Sequence, residues 1–456
     1  MLLQFSVENY LSFMDEVCLN MVPVKSRTMK EHLIKDKQGK KTSVLPVALI
    51  YGANASGKTN LVKAMSFAKK LIETGTRTDD STGVVPFLLD LEKAEMPSRF
   101  EFIFKHAGVV YTYGFVISEK VVHEEWLFAY YTTQESRVFE RRTNNGRTEV
   151  RAGQKLINDV KSAQFIDFIA QGTRPNQLFL TEANEKNIEI LQPVFLWFRD
   201  NLHIIHPESK YKILPVRAHE DKDFIQYLSD FLKLADTGIQ EITCVRENFD
   251  SEKHLQDLPD HPKNALLKLV NNSKTQRIIF HGPDDSIAIF CDKDQGSESK
   301  TVQRLLTSHH RTDGSTVSFK TSVESDGTRR VIDLVSMLQD IPDSGHVFII
   351  DELDRSLHTS ISRLFIEVCL SEVTNNQSNR QFIMTTHDTN LLDRNLLRRD
   401  EIWFIEKNKS GASKLASLSE FKVSEGLNYE SGYLNGRFGA IPLVGDSDKL
   451  VRLEKD

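Results

Sequence analysis

Apolar and polar residues alternate through MLLQFSVENYLSF, and the alternation resumes as far as Leu19, which predicts two short strands joined around Asn9–Phe13. The run LPVALIYG at 45–52 is almost entirely apolar, as a strand buried on both faces must be, and it ends on a glycine. Beyond it, apolar residues at 61, 62, 65, 68, 71 and 72 hold helical spacing. Between 84 and 140 the period shortens again: RFEFIFKHAGVVYTYGFVI and KVVHEEWLFAYY predict strands joined by glycine-containing turns, hence antiparallel sheet. From 155 to 270 the pattern is mostly helical, with i, i+3, i+4 spacing in ANEKNIEILQPVFLWFRDNL and DKDFIQYLSDFLKLAD. Residues 271–315 are polar and turn-rich, with QRIIF and SIAIF as isolated strand candidates. After 316 the pattern predicts helix at 328–340, strand at 346–351, helix near 359–375, strand at 381–387, helix near 390–397 and strand at 401–406. Strands alternating with helices imply a parallel sheet with crossover helices.

The glycine after the first buried strand opens GANASGKT, residues 52–59, a match to GxxxxGK[ST] with the strand before it and the helix after it that the motif requires. Gly52 and Gly57 let the backbone curl so that successive N–H groups face phosphates, Lys58 neutralises charge on the β- and γ-phosphates, and the Thr59 hydroxyl can ligate Mg²⁺. Asn54, Ser56 and Asn60 are further candidates for nucleotide contact. Downstream, HVFIIDELD sets Asp351 and Glu352 at the carboxyl end of an apolar strand, where open α/β sheets bind ligands. Asp351 is the candidate metal ligand, and Glu352 the candidate for polarising an attacking water. QFIMTTHDTNLLD ends another apolar strand on His387, a candidate for γ-phosphate contact or simply a turn cap. Between the loop and the acidic pair, ESDGTRR at 324–330 precedes an apolar-periodic helix. Ser325 and Gly327 there could meet a phosphate at the helix start, or Ser325 could merely cap the helix.

Lys58 and Asp351 are too far apart in the chain for a simple GTPase-like core, so a large insertion must separate them. The order of phosphate loop, insertion, SDGT, acidic pair and histidine resembles the ABC-type ATPase heads of the SMC and Rad50 group. More narrowly, Met1–Phe13, Gly52–Thr59, Ser325–Arg330, Asp351–His358 and His387 resemble the bacterial overcoming-lysogenization-defect and RloA-like ATPases of antiphage defence. The resemblance implies an α/β P-loop NTPase of ABC-ATPase head type, with an antiparallel β lobe and an inserted, mostly helical arm. Its expected divisions are 1–150 for the first part of the head, 151–315 for the arm and 316–456 for the remainder. It further implies that two heads enclose ATP and Mg²⁺ as a homodimer or higher homo-oligomer, each phosphate loop facing the other copy's Ser325 and Gly327. In this scheme Ser12 and Phe13 are candidates near the base or ribose, with core packing the alternative for Phe13. Asp354 and His358 are candidates at the dimer seam, with helix capping the alternative for Asp354. A Q-loop glutamine is also expected, and Gln154, Gln164, Gln171 and Gln177 compete for it.

Composition narrows the setting. A formal net charge of −6 gives no general attraction to nucleic acid, so DNA contact would need a local patch such as RRTNNGR at 141–147 or LLRRD at 396–400. Four cysteines without CxxC spacing argue against a zinc ribbon or disulfide frame and fit a reducing, cytoplasmic compartment. No run approaches the about 18 apolar residues of a membrane span. The roughly 70 residues after His387, closing in GYLNGRFGAIPLVGDSDKLVRLEKD, are too few for the carboxyl-terminal nuclease domain of some relatives, by ordinary domain sizes. The resemblance therefore implies a separately encoded effector, a nuclease, with DNA or a phage protein as trigger. A DNA-repair ATPase that clamps DNA directly is the alternative.

Overall fold

The computed structural model describes residues 1–26, 28–35, 43–211, 213–256, 258–272, 277–281, 286–294, 297–339, 344–375, 378–423 and 426–441. Of the residues after His387, expected to be too few for an effector domain, those from 442 lie outside the described residues. The chain divides into two compact units, one of residues 1–207, 343–354 and 365–456 and the other of 208–342 and 355–364.

In the first unit a six-stranded sheet has Val47–Tyr51 near its centre. Asn379–Thr385 and Ile402–Lys407 flank that strand, both parallel to it. Ser344–Ile350 and then Leu202–Ile205 extend the parallel array, and antiparallel Ser413–Ser417 closes the opposite edge. Every residue of VALIY is buried, which explains why this strand shows no alternation. The register sets Thr385 opposite Ile50 and Ile350 opposite Met384, so three strands finish at one level. Their outgoing loops, 52–57, 351–354 and 386–388, therefore emerge side by side.

The second sheet of this unit is antiparallel and seven-stranded, in the order Arg147–Ala152, Ser136–Asn144, Val122–Tyr130, Val109–Ile117, Ser98–His106, Leu2–Glu8, Val17–Asn20. Its inner face is aromatic. Phe104 stacks on Trp197 with centroids 4.0 Å apart, and Phe198 meets Phe102 edge-on at 5.0 Å. Helices Val160–Gly172, Phe179–Glu185 and Gln192–Leu196 bring Ile166, Leu180 and Val194 into the same core. Residues 151–207 thus pack with the head, and the boundary expected at 150 falls after 207 because these helices bury their apolar faces there.

One buried ion pair ties the β lobe to those helices. Glu125 and Arg141 have fully buried side chains on neighbouring strands, 3.4 Å apart. The Glu125 carboxylate also accepts from the backbone N–H of Phe179 (2.6 Å) and Leu180 (2.9 Å) and from the Tyr113 hydroxyl (3.0 Å). Arg141 donates to the carbonyl of Gln177 at 2.7 Å. Burial raises the Glu125 pKa even with Arg141 beside it, so desolvation outweighs the pairing.

The second unit is not mostly helical as expected. Besides helices Leu214–Glu220, Lys222–Leu234, Asp260–Asn272 and Asp326–Gln339, it holds a five-stranded antiparallel sheet. Glu241–Asn248, inside the stretch read as helical, pairs with Ser297–His310. The QRIIF and SIAIF candidates are the hairpin Arg277–His281 and Ser286–Asp294. Ile287, Ile289 and Val302 meet Leu266 and Val270 of a helix in a separate small core. The helix expected near 390–397 is instead a single 3-10 turn, Thr389–Leu391, followed by turns. Asp388 accepts from the Asn390 N–H (3.1 Å) and Asp393 from the Asn395 N–H (2.8 Å), local bonds that compete with a helix ladder.

Glu125→Ala is expected to cost about 3–5 kcal/mol, the penalty for leaving one member of a buried pair uncompensated. Chemical denaturation followed by tryptophan fluorescence would measure it, since Trp126 and Trp197 lie in this unit. A loss under about 1 kcal/mol would mean the pair is not the tie described.

Candidate functional site

The loop after Val47–Tyr51 is shaped by close backbone approach. A Cβ on Gly52 would collide with the Ile405 carbonyl and the Ser56 hydroxyl. Gly57 has φ +116° at the start of helix Lys58–Thr74, and a Cβ there would strike the Ser413 hydroxyl. Leu61, Val62, Met65, Ala68, Leu71 and Ile72 anchor that helix as its spacing predicted, and Gly75 ends it. Asn54 and Ala55 stand exposed at the loop tip, Ala55 with φ +60°. Ser56 is buried, with no bonding partner for its hydroxyl in the described structure.

Lys58 is 5% exposed and curls back over the loop, donating to the carbonyls of Gly52 (2.7 Å) and Ala53 (3.1 Å). Desolvation lowers its pKa to about 8, against the opposing pull of Asp354, Asp351 and Glu352. Thr59 Oγ1 donates to Asp351 Oδ1 at 3.4 Å, so the loop and the acidic strand meet. Asp351 is 1% exposed and accepts a second bond from Thr385 Oγ1 at 2.6 Å. Glu352 follows with φ +50°, its N–H donating to Thr385 Oγ1 at 2.8 Å. The left-handed turn is a strained feature of a kind that gathers at functional sites.

His387 lies at the mouth of this group, its Nδ1 3.5 Å from Lys58 Nζ. Desolvation, then the Lys58 charge, keep its pKa below the ordinary histidine value, so the ring is neutral at pH 7. With an ammonium facing Nδ1, that nitrogen is assigned as acceptor, and Nε2 carries the proton. Asp354 Oδ2 accepts from the His387 N–H at 3.1 Å, while its Oδ1 is buried with no partner in the described structure. Asp354 does not cap helix Thr359–Thr374; His358 Nδ1 does that work, accepting from the Ser360 N–H at 3.2 Å.

Ser12 takes part in the loop's support. Its hydroxyl accepts from Asn60 Nδ2 (2.8 Å) and Ser413 Oγ (2.8 Å), and Ser413 Oγ also lies 2.6 Å from the Ser56 carbonyl. Phe13 is fully buried in the hydrophobic core, which removes it as a ligand contact. Of the four glutamines, Gln177 is buried and accepts from Thr76 N–H at 2.8 Å, at the far end of the loop's own helix. Gln154, Gln164 and Gln171 are exposed, Gln171 bonded to Asp167.

Ser325 and Gly327 belong to the second unit. Ser325 Oγ accepts from the Thr328 N–H at 3.1 Å, so it caps helix Asp326–Gln339. A Cβ on Gly327 would collide with the carbonyl of Ser356. The arginines of LLRRD are spent internally, whereas in RRTNNGR only Arg141 is, and Arg142 and Arg147 stand exposed. Arg141 is the buried partner of Glu125, Arg398 pairs with Asp400 at 2.7 Å with both buried, and Arg399 donates to the carbonyls of Leu418 and Phe421.

Sequence reasoning missed Thr385 and Ser413. Thr385 stands two residues before His387 at the end of its strand, a position that could have flagged it. Ser413 is distant in sequence from everything it touches, and nothing local marked it.

A family model described as "AAA domain, putative AbiEii toxin, Type IV TA system" matches residues 47–393. The chain belongs to this family. The matched span opens on the first residue of the central strand and closes just past His387, enclosing the loop, the acidic pair and the histidine of this AAA-domain chain. No curated protein matches it. Among solved structures it is similar to the SMC head domain from Thermotoga maritima, at 11% identity, 92% coverage of this chain, 99% of that one and a TM-score of 0.35. It is also similar to an SMC head bound to the C-terminal winged-helix domain of ScpA (13%, 91%, 97%, 0.38) and to the recombination mediator RecF with ATPγS (14%, 91%, 98%, 0.28). Likenesses this slight carry no argument about function.

Gly57→Ala is expected to destabilise the fold by about 1–3 kcal/mol through its left-handed φ, with an added steric cost against Ser413. Thermal melts of Gly57→Ala alone and combined with Ser413→Ala would separate the two. Equal melting points in the single and double variants would remove the steric part.

Proposed function

We propose that the chain is an ATP-hydrolysing ABC-type ATPase that assembles around ATP and controls a separately encoded effector in bacterial antiphage defence. The observation that carries the ATPase reading is the meeting of Lys58, Thr59, Asp351, Glu352 and His387 at the level ends of three parallel strands. ATP is the substrate the loop suits: a loop of the GxxxxGK[ST] pattern turns backbone N–H groups toward phosphates, and Lys58 now holds carbonyls that a β- or γ-phosphate would replace.

Thr59 Oγ1 and Asp351 Oδ1 are the residues that would hold Mg²⁺. Both are oxygen donors, and their 3.4 Å separation is near the about 3 Å expected for adjacent ligands of an octahedral ion with bonds of about 2.1 Å. Bound there, the ion supplies charge neutralisation on the phosphates. Thr385 keeps Asp351 oriented. Glu352, turned by its left-handed backbone, is the candidate base for the attacking water. The neutral His387 ring, with Nε2–H as donor, is suited to hold that water or the γ-phosphate. Ser325 and the exposed start of its helix are offered to the nucleotide of a second copy, which makes the working form a homodimer or larger.

The defence setting rests on the resemblance to the overcoming-lysogenization-defect and RloA-like ATPases, and the toxin–antitoxin wording of the family description supports it. The effector, a nuclease in this reading, acts from a separate chain, with DNA or a phage protein as trigger. The internal bonding of Arg398 and Arg399 weighs against direct DNA clamping through LLRRD, while Arg142 and Arg147 of RRTNNGR remain exposed. Among the described residues no helix is long and apolar enough to cross a membrane.

Purified chain with ATP and Mg²⁺ should release phosphate, and Glu352→Gln should slow turnover by about 10²–10⁴-fold while retaining ATP-dependent assembly by light scattering. Unchanged turnover in Glu352→Gln would exclude the base assignment. A second expectation follows from Lys58. With a pKa near 8, the free lysine is mostly neutral at pH 8.5 and mostly charged at pH 7; a bound polyphosphate raises the pKa. Nucleotide binding should then take up about 0.7 proton at pH 8.5 and about 0.1 at pH 7. Calorimetry in buffers of different ionisation enthalpy reads this directly, and equal uptake at both pH values would contradict it.

A further inference from the structure

The segment between the phosphate-loop helix and the antiparallel sheet carries three leucines that no fold requirement explains. Leu88, Leu89 and Leu91 are 64%, 71% and 91% exposed. The segment that bears them is tied down at several points. Asn9, itself buried, donates through Nδ2 to the carbonyls of Lys93 (2.8 Å) and Met96 (2.9 Å) and accepts from the Phe87 N–H (3.2 Å). Phe87 is buried, the Leu11 N–H donates to the Val85 carbonyl at 3.0 Å, and Asp90 caps the short helix Leu91–Glu95. Exposed leucines on a segment held this firmly form a preset apolar ledge, and covering them would gain free energy in proportion to the apolar area removed from water.

The ledge's neighbours say what could cover it. Leu89 packs so closely on Gly411 that a Cβ there would collide with it. Gly411 sits in the turn that leads, two residues on and so within about 7 Å of chain, to Ser413. Ser413 in turn holds the Ser56 carbonyl and Ser12, and Ser12 accepts from Asn60 on the first turn of the phosphate-loop helix. From the other side, Val85 is bonded to Leu11, the residue before Ser12. The ledge is thus joined by two short routes to the same side of the phosphate loop.

We propose that the Leu88–Leu89 ledge receives the base of the nucleotide whose phosphates occupy residues 52–59. The inference rests on the nucleotide reading of that loop. Recognition is by burial of the base's face against leucine methyl groups, because the amide of Asn9 is already committed to the segment's own backbone. Base contact on this side also gives the Ser12–Asn60 bond a role, since it fixes the turn between ledge and loop.

Equilibrium binding of ATP and of inorganic tripolyphosphate to the full chain tests this, with Leu89→Asp compared to the parent. Leu89 is largely exposed, so the variant should fold, and circular dichroism would verify it. ATP affinity should fall by about tenfold, equivalent to about 1.4 kcal/mol, while tripolyphosphate affinity holds. An equal fall for both ligands, or no fall for either, would overturn the proposal. Unchanged ATP affinity with lost ATP-dependent assembly would also overturn it and assign the ledge to a second copy of the chain. If the parent chain binds neither ligand, the nucleotide reading itself fails, and that outcome is distinguishable from the others.

Discussion

The parallel register of Val47–Tyr51, Asn379–Thr385 and Ser344–Ile350 is the constraint on which the site depends. Parallel strands all point the same way, so a register that ends them level must deliver three loops to one place. Residues 58, 351 and 387 are remote in sequence, yet pairing Thr385 with Ile50 and Ile350 with Met384 leaves them almost no freedom to be apart. A slip of one residue would turn the Asp351 side chain to the other face of the sheet and break its bonds to Thr59 and Thr385 together. The site's precision is a property of the sheet, and the loops inherit it.

That dependence explains what could be read from the sequence. The phosphate loop, the acidic strand end and the histidine strand were legible because each is a continuous apolar run ending in a distinctive residue. The helix at Lys58–Thr74 was legible from six apolar positions. What escaped is what depends on remote partners. Ser413 means nothing until the closing strand lies beside the loop. Thr385 looks like an ordinary strand residue until the acidic pair is its neighbour. Phe13 was left between ligand contact and core, and full burial decides for core. The insertion's sheet was hidden for another reason: Glu241–Asn248 alternates weakly, with partly exposed residues on both faces, so local spacing could not separate it from the helices around it.

Charged side chains taught a similar lesson. RRTNNGR and LLRRD read as candidate contact surfaces because sequence counts charges without locating them. In the fold, Arg141 and Arg398 are among the most buried side chains present, each answering a carboxylate. Burying an arginine is costly unless its donors are directed, and Arg141 spreads its two terminal nitrogens over Glu125, the Gln177 carbonyl and two threonines, while its Nε is buried without a partner in the described structure. Such residues specify how sheet and helices meet.

Gly327 shows how a small residue can mislead about its own purpose. Its lack of a side chain is consumed within one copy of the chain, where the Ser356 carbonyl occupies the space a Cβ would need. The glycine therefore acts as a spacer that lets a helix start lie flush against the segment following the acidic pair. The exposed residues of this heptad are Ser325 and Asp326.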